Sequence, residues 1–580
     1  MTESKIVRVA GAVAEVRPMR MARLYDLVRV GERQLLGEVI RVDRDTAVIQ
    51  VFEETSGLRL GEPVVGTGSA LAVELGPGLL GSVFDGVGRP LERLATAGGN
   101  TIQPGVTAPT LDPDRQWDFT PRRTVGETIR GGDVLGTVEE RTGFEHRVLV
   151  PPVIQEGILT EIHSGAHTIN DVVALVEDGT PLRMAQHWPV RTPRPIRGRK
   201  PGDRPFVTGQ RVFDLFFPVA EGGAVAVPGG FGTGKTVIEQ SLAKFADADV
   251  VVYVGCGERG NEMAEVLSEF PTLVDPRSGI PVMDRTVLIV NTSNMPVAAR
   301  ESSVYMGLTI AEYYRDMGYR VAVMADSLSR WAEALREIGG RLQEMPGEEG
   351  YPTSLPNRLG KVYERAGRVT SLGTPEREGA VTFISAVSPG GGDFSEPVTQ
   401  ASLRVAGALW ALDPDLAHQR HFPAVDWEIS YSLYAEGLAA WFTEHVGQKW
   451  HELRHDLLEM LQRDREIREI AALVGAEALE DRDRLVLSVA RLIRDTVLGQ
   501  SAFDPNDAHS SLEKTLDLGR LAREAHTRAS LALEDGTAFE QLDFSVVQQA
   551  LLEVRNAGVE LAAAVERAER ALDTLRMVES

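Results

Sequence analysis

The run Gly229-Gly230-Phe231-Gly232-Thr233-Gly234-Lys235-Thr236 constrains this 580-residue chain more than any other stretch of it. It fits G-x-x-x-x-G-K-[ST], directly follows the apolar run Ala224-Val225-Ala226-Val227 and opens a helical stretch at Val237. Strand, glycine-rich turn and helix start in that order build a phosphate cradle. The glycines let backbone N–H groups turn inward around anionic oxygens, and the helix start adds partial positive charge. Lys235 would neutralise β and γ oxygens, and the Thr236 hydroxyl would ligate Mg2+. A glycine-rich turn with no ligand has no need of Lys-Thr, so ATP or ADP with Mg2+ is the expected cargo.

The text around the motif sets the fold class. From Val225 to about Ser388 short apolar runs alternate with helical stretches: Val250–Val254, Thr286–Val290, Arg320–Met324 and Val381–Ile384. Continuous apolar strands separated by helices predict a parallel sheet covered on both faces. Between Lys5 and about Leu75 short alternating runs punctuated by Gly11, Gly31, Gly37, Gly57 and Gly61 predict a small β-barrel. Glycine and proline at Gly76-Pro77-Gly78 and Gly88-Arg89-Pro90 mark its boundary. Residues from about 110 to 195 read as a β-rich insertion, closing in the proline-rich Trp188–Pro195.

After about Ala435 the pattern turns helical and stays so. The expected architecture is therefore a barrel over 1–75, a P-loop α/β domain over 76–435 interrupted by the β-rich insertion at 110–195, and a C-terminal α-helical bundle over 436–580. In the last segment Val547, Leu551, Val554, Gly558, Leu561, Val565, Ala568, Leu572 and Leu575 recur at alternating four-three spacing, which predicts one helical seam. Packing within the bundle is favoured there over a docking helix. The cluster Arg191, Arg194, Arg197, Arg199 and Lys200 reads as a solvated linker rather than an anion patch, because the prolines among these residues prevent a compact basic helix.

Two further strand ends carry candidate chemistry. Asp326 follows Val321-Ala322-Val323-Met324-Ala325 and is the candidate metal-holding carboxylate, acting through water; an ordinary helix cap, shared with Ser327 or Ser329, is the competing reading. Glu258 lies in Gly255-Cys256-Gly257-Glu258-Arg259-Gly260-Asn261-Glu262, after the strand at Val250–Val254, and is the candidate group that orients the attacking water. Arg259 would neutralise charge developing on the γ-phosphate. In a parallel sheet ligands gather at the carboxyl ends of strands, so Glu258 and Asp326 are expected to converge on the phosphates.

Bulk properties narrow the field. Lysine plus arginine number 61 against 84 aspartate plus glutamate, and the net charge of −23 disfavours an extended grip on nucleic acid. One cysteine, Cys256, excludes an intrachain disulfide framework and fits a reducing compartment, the cytoplasm. Met1-Thr2-Glu3-Ser4-Lys5 lacks the features of a signal peptide, and no run approaches the roughly 20 apolar residues of a membrane helix. Membrane association is expected only through partners.

Taken together these residues resemble the catalytic A-type chain of V/A-type rotary ATPases, relatives of the ATP synthase α and β chains. The specific stretches are Gln50–Gly57, Glu74–Leu80, Val254–Glu262, Asn291–Pro296, Arg330–Glu337, Pro346–Pro352, Asp393–Pro397 and Pro423–Ser432. The resemblance implies an alternating ring of three A-type with three B-type subunits, a central rotor shaft, peripheral stator subunits touching the insertion, and an integral membrane sector that moves ions. It also implies that Phe422, Gln500 and Phe503 line the adenine pocket, and that a B-type neighbour supplies an arginine to the γ-phosphate. Gly230, Thr233, Leu328 and Gly390 depart from the family pattern, which usually has proline, serine, threonine and proline there. The rival readings are a non-catalytic nucleotide-binding ring component, a hexameric protein-export ATPase and an RNA-translocating motor; the insertion and the acidic charge weigh against the last two.

Overall fold

A computed structural model describes residues 4–98, 103–275, 279–475 and 479–575. Part of the N-terminal reading, residues 1–3, lies outside them. The chain divides into two compact units, one comprising residues 1–201, 221–224 and 248–406, the other 202–220, 225–247 and 407–580.

In the first unit, six antiparallel strands between Lys5 and Ala70 pair in an order that brings the first and last together, where Val64 N–H donates to Ser4 O at 2.9 Å. The sheet closes on a core of Ile6, Val16, Val28, Val39, Ile49 and Val51, the inward half of each alternating run. The strand Ala72–Leu75, read from sequence as the end of the barrel, pairs instead with Gln186–Pro189. Alternation tells which residues of a short strand face inward, but not which sheet receives it. The insertion folds as two four-stranded antiparallel sheets between Gln116 and Leu182.

The parallel sheet of this unit orders its strands Glu378–Val387, Arg320–Asp326, Val250–Glu258, Thr286–Thr292 and Val83–Asp85. Against it lies the helix Val297–Asp316, in which every residue from Ala298 to Asp316 is buried. That burial includes Arg300, Glu301, Glu312, Arg315 and Asp316, charges that must find partners inside.

The basic stretch after the insertion supplies part of them, which corrects the reading of a solvated linker. Arg191 forms a fork on Glu38 of the barrel at 2.7 Å and on Glu301 at 2.6 Å. Arg194, 3% exposed, pairs with Asp316 at 2.6 Å. Arg197 meets Glu376, Arg199 donates to the Ala366 carbonyl, and Lys200 meets Glu378. Proline spacing does prevent a helix here, but an extended strap lays Arg191 and Arg194 onto the acidic face of a buried helix just as well, while Arg197 and Arg199 stay exposed.

In the second unit the strand Ala224–Pro228 runs parallel to Ala408–Leu409, which pairs with Tyr431–Ser432. The helix Lys235–Phe245 follows the phosphate loop. Helices Ala435–His445, Trp450–Val474, Asp481–Ile493, Leu512–Glu534, Phe544–Arg555 and Leu561–Ala571 form the C-terminal bundle. The predicted single seam is two helices. The chain turns between Asn556 and Glu560, and Lys514 Nζ donates to the Ala557 carbonyl at 3.1 Å to hold that turn. Val547, Leu551 and Val554 on one helix and Ala568, Leu572 and Leu575 after the turn are buried. The four-three spacing identified most of the buried face, though Leu561 and Val565 are half-buried; the helix stops at Arg555, three residues before Gly558, the weakest position of the repeat.

Candidate active site

The phosphate loop bends through Gly232 at φ +78° and Gly234 at φ +88°. Gly234 is the N-cap of the helix that starts at Lys235, and the Phe422 ring lies 3.6 Å from where a Cβ on Gly234 would stand. A side chain there would meet both a left-handed backbone and an aromatic ring. Thr233 Oγ1 donates to the Gly230 carbonyl at 2.9 Å, and Lys235 Nζ donates to the carbonyls of Gly229 at 2.6 Å and Gly230 at 2.9 Å. The lysine is thereby held over its own loop. Phe231 and Val237 are exposed, and Thr236 is half-buried at the helix start.

Of the aromatic residues the resemblance implies, Phe422 adjoins the loop through Gly234 and is 44% exposed; Phe503 is 91% exposed. Gln500 sits differently from a nucleotide-facing side chain. Its Oε1 accepts from Arg211 N–H at 2.8 Å and its Nε2 donates to the Gly209 carbonyl at 2.8 Å, while its backbone N–H donates to the Phe422 carbonyl at 2.8 Å. The amide is spent on internal bonds, and its service to the loop is to fix Phe422. Where the family pattern has proline, Gly230 and Gly390 have room for a side chain: the nearest atom to a Cβ on Gly230 is Pro414 Cγ at 3.8 Å, and Gly390 has nothing within 4 Å. Leu328 is fully buried.

In the first unit Glu258 and Asp326 end adjacent strands, with Gly255 paired in register against Asp326. Burial, the Asp326 carboxylate and the neighbouring Glu262 together push the Glu258 carboxyl up to about 8, and Arg330 pulls it back only in part. A carboxyl tuned close to neutrality is what proton transfer requires. Arg259 is the exposed N-cap of the helix Gly260–Glu269, 4.0 Å from Glu262. Asp326 is 3% exposed; the helix after it is capped at Ser327, without a side-chain cap bond. Cys256 is a buried free thiol, pushed up to about 12 by burial and so inert at neutral pH. Sequence reasoning missed Glu262, Arg330 and Arg300. All three lie in or beside stretches that carry the resemblance, yet nothing in their spacing says which way they point.

A phosphate loop opening a helix, together with parallel strands whose ends carry carboxylates, defines the P-loop nucleotide-binding class. The comparisons narrow it. Family models match along the chain: the ATP synthase alpha/beta family β-barrel domain at 6–68, the ATP synthase alpha/beta subunit barrel-sandwich domain at 108–191, the ATP synthase alpha/beta family nucleotide-binding domain at 209–432 and the C-terminal domain of V and A type ATP synthase at 439–541. The V-type ATP synthase alpha chain of Anaeromyxobacter dehalogenans (strain 2CP-C) is 57% identical over 93% of this chain and 92% of its own. The corresponding A-type ATP synthase chain of Methanopyrus kandleri is 52% identical over the same shares. A solved structure of the assembled ATPase EscN from an enteropathogenic E. coli type III secretion system matches at a TM-score of 0.64 with 24% identity, covering 90% of this chain and 100% of that one; it shows the fold alone. The chain belongs to the V/A-type ATP synthase alpha-chain family. Membership makes it an ATP-binding component of a multi-subunit complex. No helix among the described residues is long and apolar enough to cross a membrane.

Proposed function

We propose that this chain carries the catalytic sites of a rotary ATPase, hydrolysing MgATP or running the reverse reaction, coupled to ion movement across a membrane. The observation that carries the reading is Glu258, a half-buried carboxyl raised to about 8 beside Asp326 at adjacent strand ends. Backbone N–H groups of Gly229–Lys235 bind the phosphates, and the Lys235 ammonium offsets charge on β and γ oxygens. Glu258 orients the attacking water and takes its proton, while the exposed Arg259 side chain swings toward developing charge. Phe422 and Phe503 offer faces to the base.

The Thr236 hydroxyl and the Asp326 carboxylate are hard oxygen donors of the kind Mg2+ accepts, and Mg2+ characteristically takes one or two protein oxygens with phosphates and waters. Mg2+ held by such oxygens would neutralise charge on the β and γ oxygens. Ring partners of B type in a three-to-three arrangement, a rotor shaft, stator subunits and placement on the cytoplasmic face of a membrane follow from the family reading.

The test is Glu258→Gln in the ring assembled with its partner chains. The variant should bind MgATP as the parent does and turn over at least ~100-fold more slowly, the usual scale of losing a general base. Near-parental turnover would remove Glu258 from the mechanism and favour a non-catalytic ring component.

A further inference from the structure

Three consecutive residues, Cys256, Gly257 and Glu258, lean on one side chain and its backbone. Arg300, 8% exposed on the buried helix Val297–Asp316, accepts from Cys256 Sγ through its carbonyl at 3.5 Å. Gly257 sits at φ +77°, and a Cβ there would stand 3.0 Å from both Cδ and Nε of Arg300 and 2.7 Å from Arg330 Cβ. The Glu258 carbonyl accepts from Ser293 N–H at 2.8 Å, and the Ser293 carbonyl in turn accepts from the Arg300 guanidinium at 3.0 Å. Arg300 Nε donates to Asn291 Oδ1 at 3.3 Å, so the guanidinium also spans the end of the strand Thr286–Thr292 beside Glu258.

We infer that Arg300 is a positioning residue for the water-activating carboxylate: it clamps the turn Cys256–Glu258 against the end of the neighbouring strand and fixes the Glu258 backbone. The inference rests on the assignment of Glu258 above. Arg300 touches none of the reacting atoms. A planar fork with several donors suits this better than lysine, whose single ammonium cannot hold Asn291 and Ser293 at once while stacking on Gly257.

The experiment compares Arg300→Met, Arg300→Lys and Glu258→Gln in the assembled ring, reading kcat per active site and KM for MgATP. Displacing a catalytic group by about 1 Å costs on the order of 10²-fold. Arg300→Met should therefore lower kcat about 10- to 100-fold with KM within about twofold, and Arg300→Lys should recover part of the loss. A purely structural role would reduce the amount of active ring and leave kcat per active site unmoved. Parental kcat per site in Arg300→Met, or a loss carried by KM with kcat unchanged, overturns the inference. If Arg300→Met does not assemble, Arg300→Lys is judged on the same two criteria. Should Glu258→Gln itself turn over normally, the underlying assignment fails instead, whatever the Arg300 variants do.

Discussion

Arg191→Met strips one guanidinium from between two carboxylates that have almost no access to water. Glu38 and Glu301 are 1% and 2% exposed, and Arg191 reaches both within 2.7 Å while packing against the rings of Tyr25 and Tyr305. Methionine keeps much of the apolar stem, so the loss is mainly electrostatic. Removing one member of a buried pair costs about 3–5 kcal/mol. A second bound follows from protonation: holding one glutamic acid neutral at pH 7.5 costs about 4 kcal/mol, at 1.36 kcal/mol per unit above an ordinary carboxyl. Arg358, 3.9 Å from Glu301, remains as a partial partner, so about 4 kcal/mol is expected rather than twice that.

The pH dependence has a definite sign. In the parent, Arg191 holds the fully buried Glu301 below its ordinary value, a contribution present above the unfolded carboxyl value and lost as pH falls through the folded one, while burial outweighs the arginine at Glu38 and leaves it raised. In the variant both carboxyls lose the arginine and rise further, so its stability declines as pH rises from the unfolded value. The added rise at both carboxyls shrinks the difference between parent and variant on acidification. Native-state hydrogen exchange over the strand Leu35–Asp43 and the helix Val297–Asp316 reads the opening free energy locally, without assuming two-state unfolding of a multidomain chain. A loss under about 1 kcal/mol at pH 7.5, or one that does not shrink towards pH 5.5, refutes the reasoning. Adding Glu38→Gln and Glu301→Gln to Arg191→Met should recover most of the loss.

Three further outcomes are expected. Lys235→Ala removes the ammonium held over the Gly229 and Gly230 carbonyls and should abolish hydrolysis in a steady-state assay; residual turnover above about 1% would contradict its role. Glu262→Gln removes a like charge and a hydrogen bond that both raise Glu258, so the acid limb of kcat/KM should move down; an upward shift would count against the cluster as described. The purified chain alone should bind nucleotide yet turn over on the order of 10³–10⁵ more slowly than in the ring, because an arginine supplied by a neighbour is missing; equal rates per site would favour a self-sufficient ATPase.

The sequence by itself determined the elements whose chemistry is local. A phosphate loop needs glycines at left-handed positions, a lysine and a hydroxyl within eight residues, and these are adjacent in the chain whatever the remainder does. Parallel strands declared themselves as apolar runs because both faces are covered, and Glu258 and Asp326 were findable because strand ends are visible as the points where such runs stop. The seam of the last helices marked most of a buried face, but a helix that ends at Arg555 and restarts at Leu561 keeps the same period as one that continues. What the tertiary structure decided were the encounters between distant segments. Arg191 meets Glu38 and Glu301 across separations of 153 and 110 residues, so a stretch that reads as solvated linker gives Arg191 and Arg194 to buried carboxylates. Gln500 gave its side-chain amide to Gly209 and Arg211, nearly three hundred residues away. Arg300 reached the turn that carries Glu258 only because the helix bearing it packs under that strand end. Propensity and spacing report on neighbours along the chain; the partner of a buried charge is set by which surfaces meet when the sheet and its helices pack, and no local pattern encodes that.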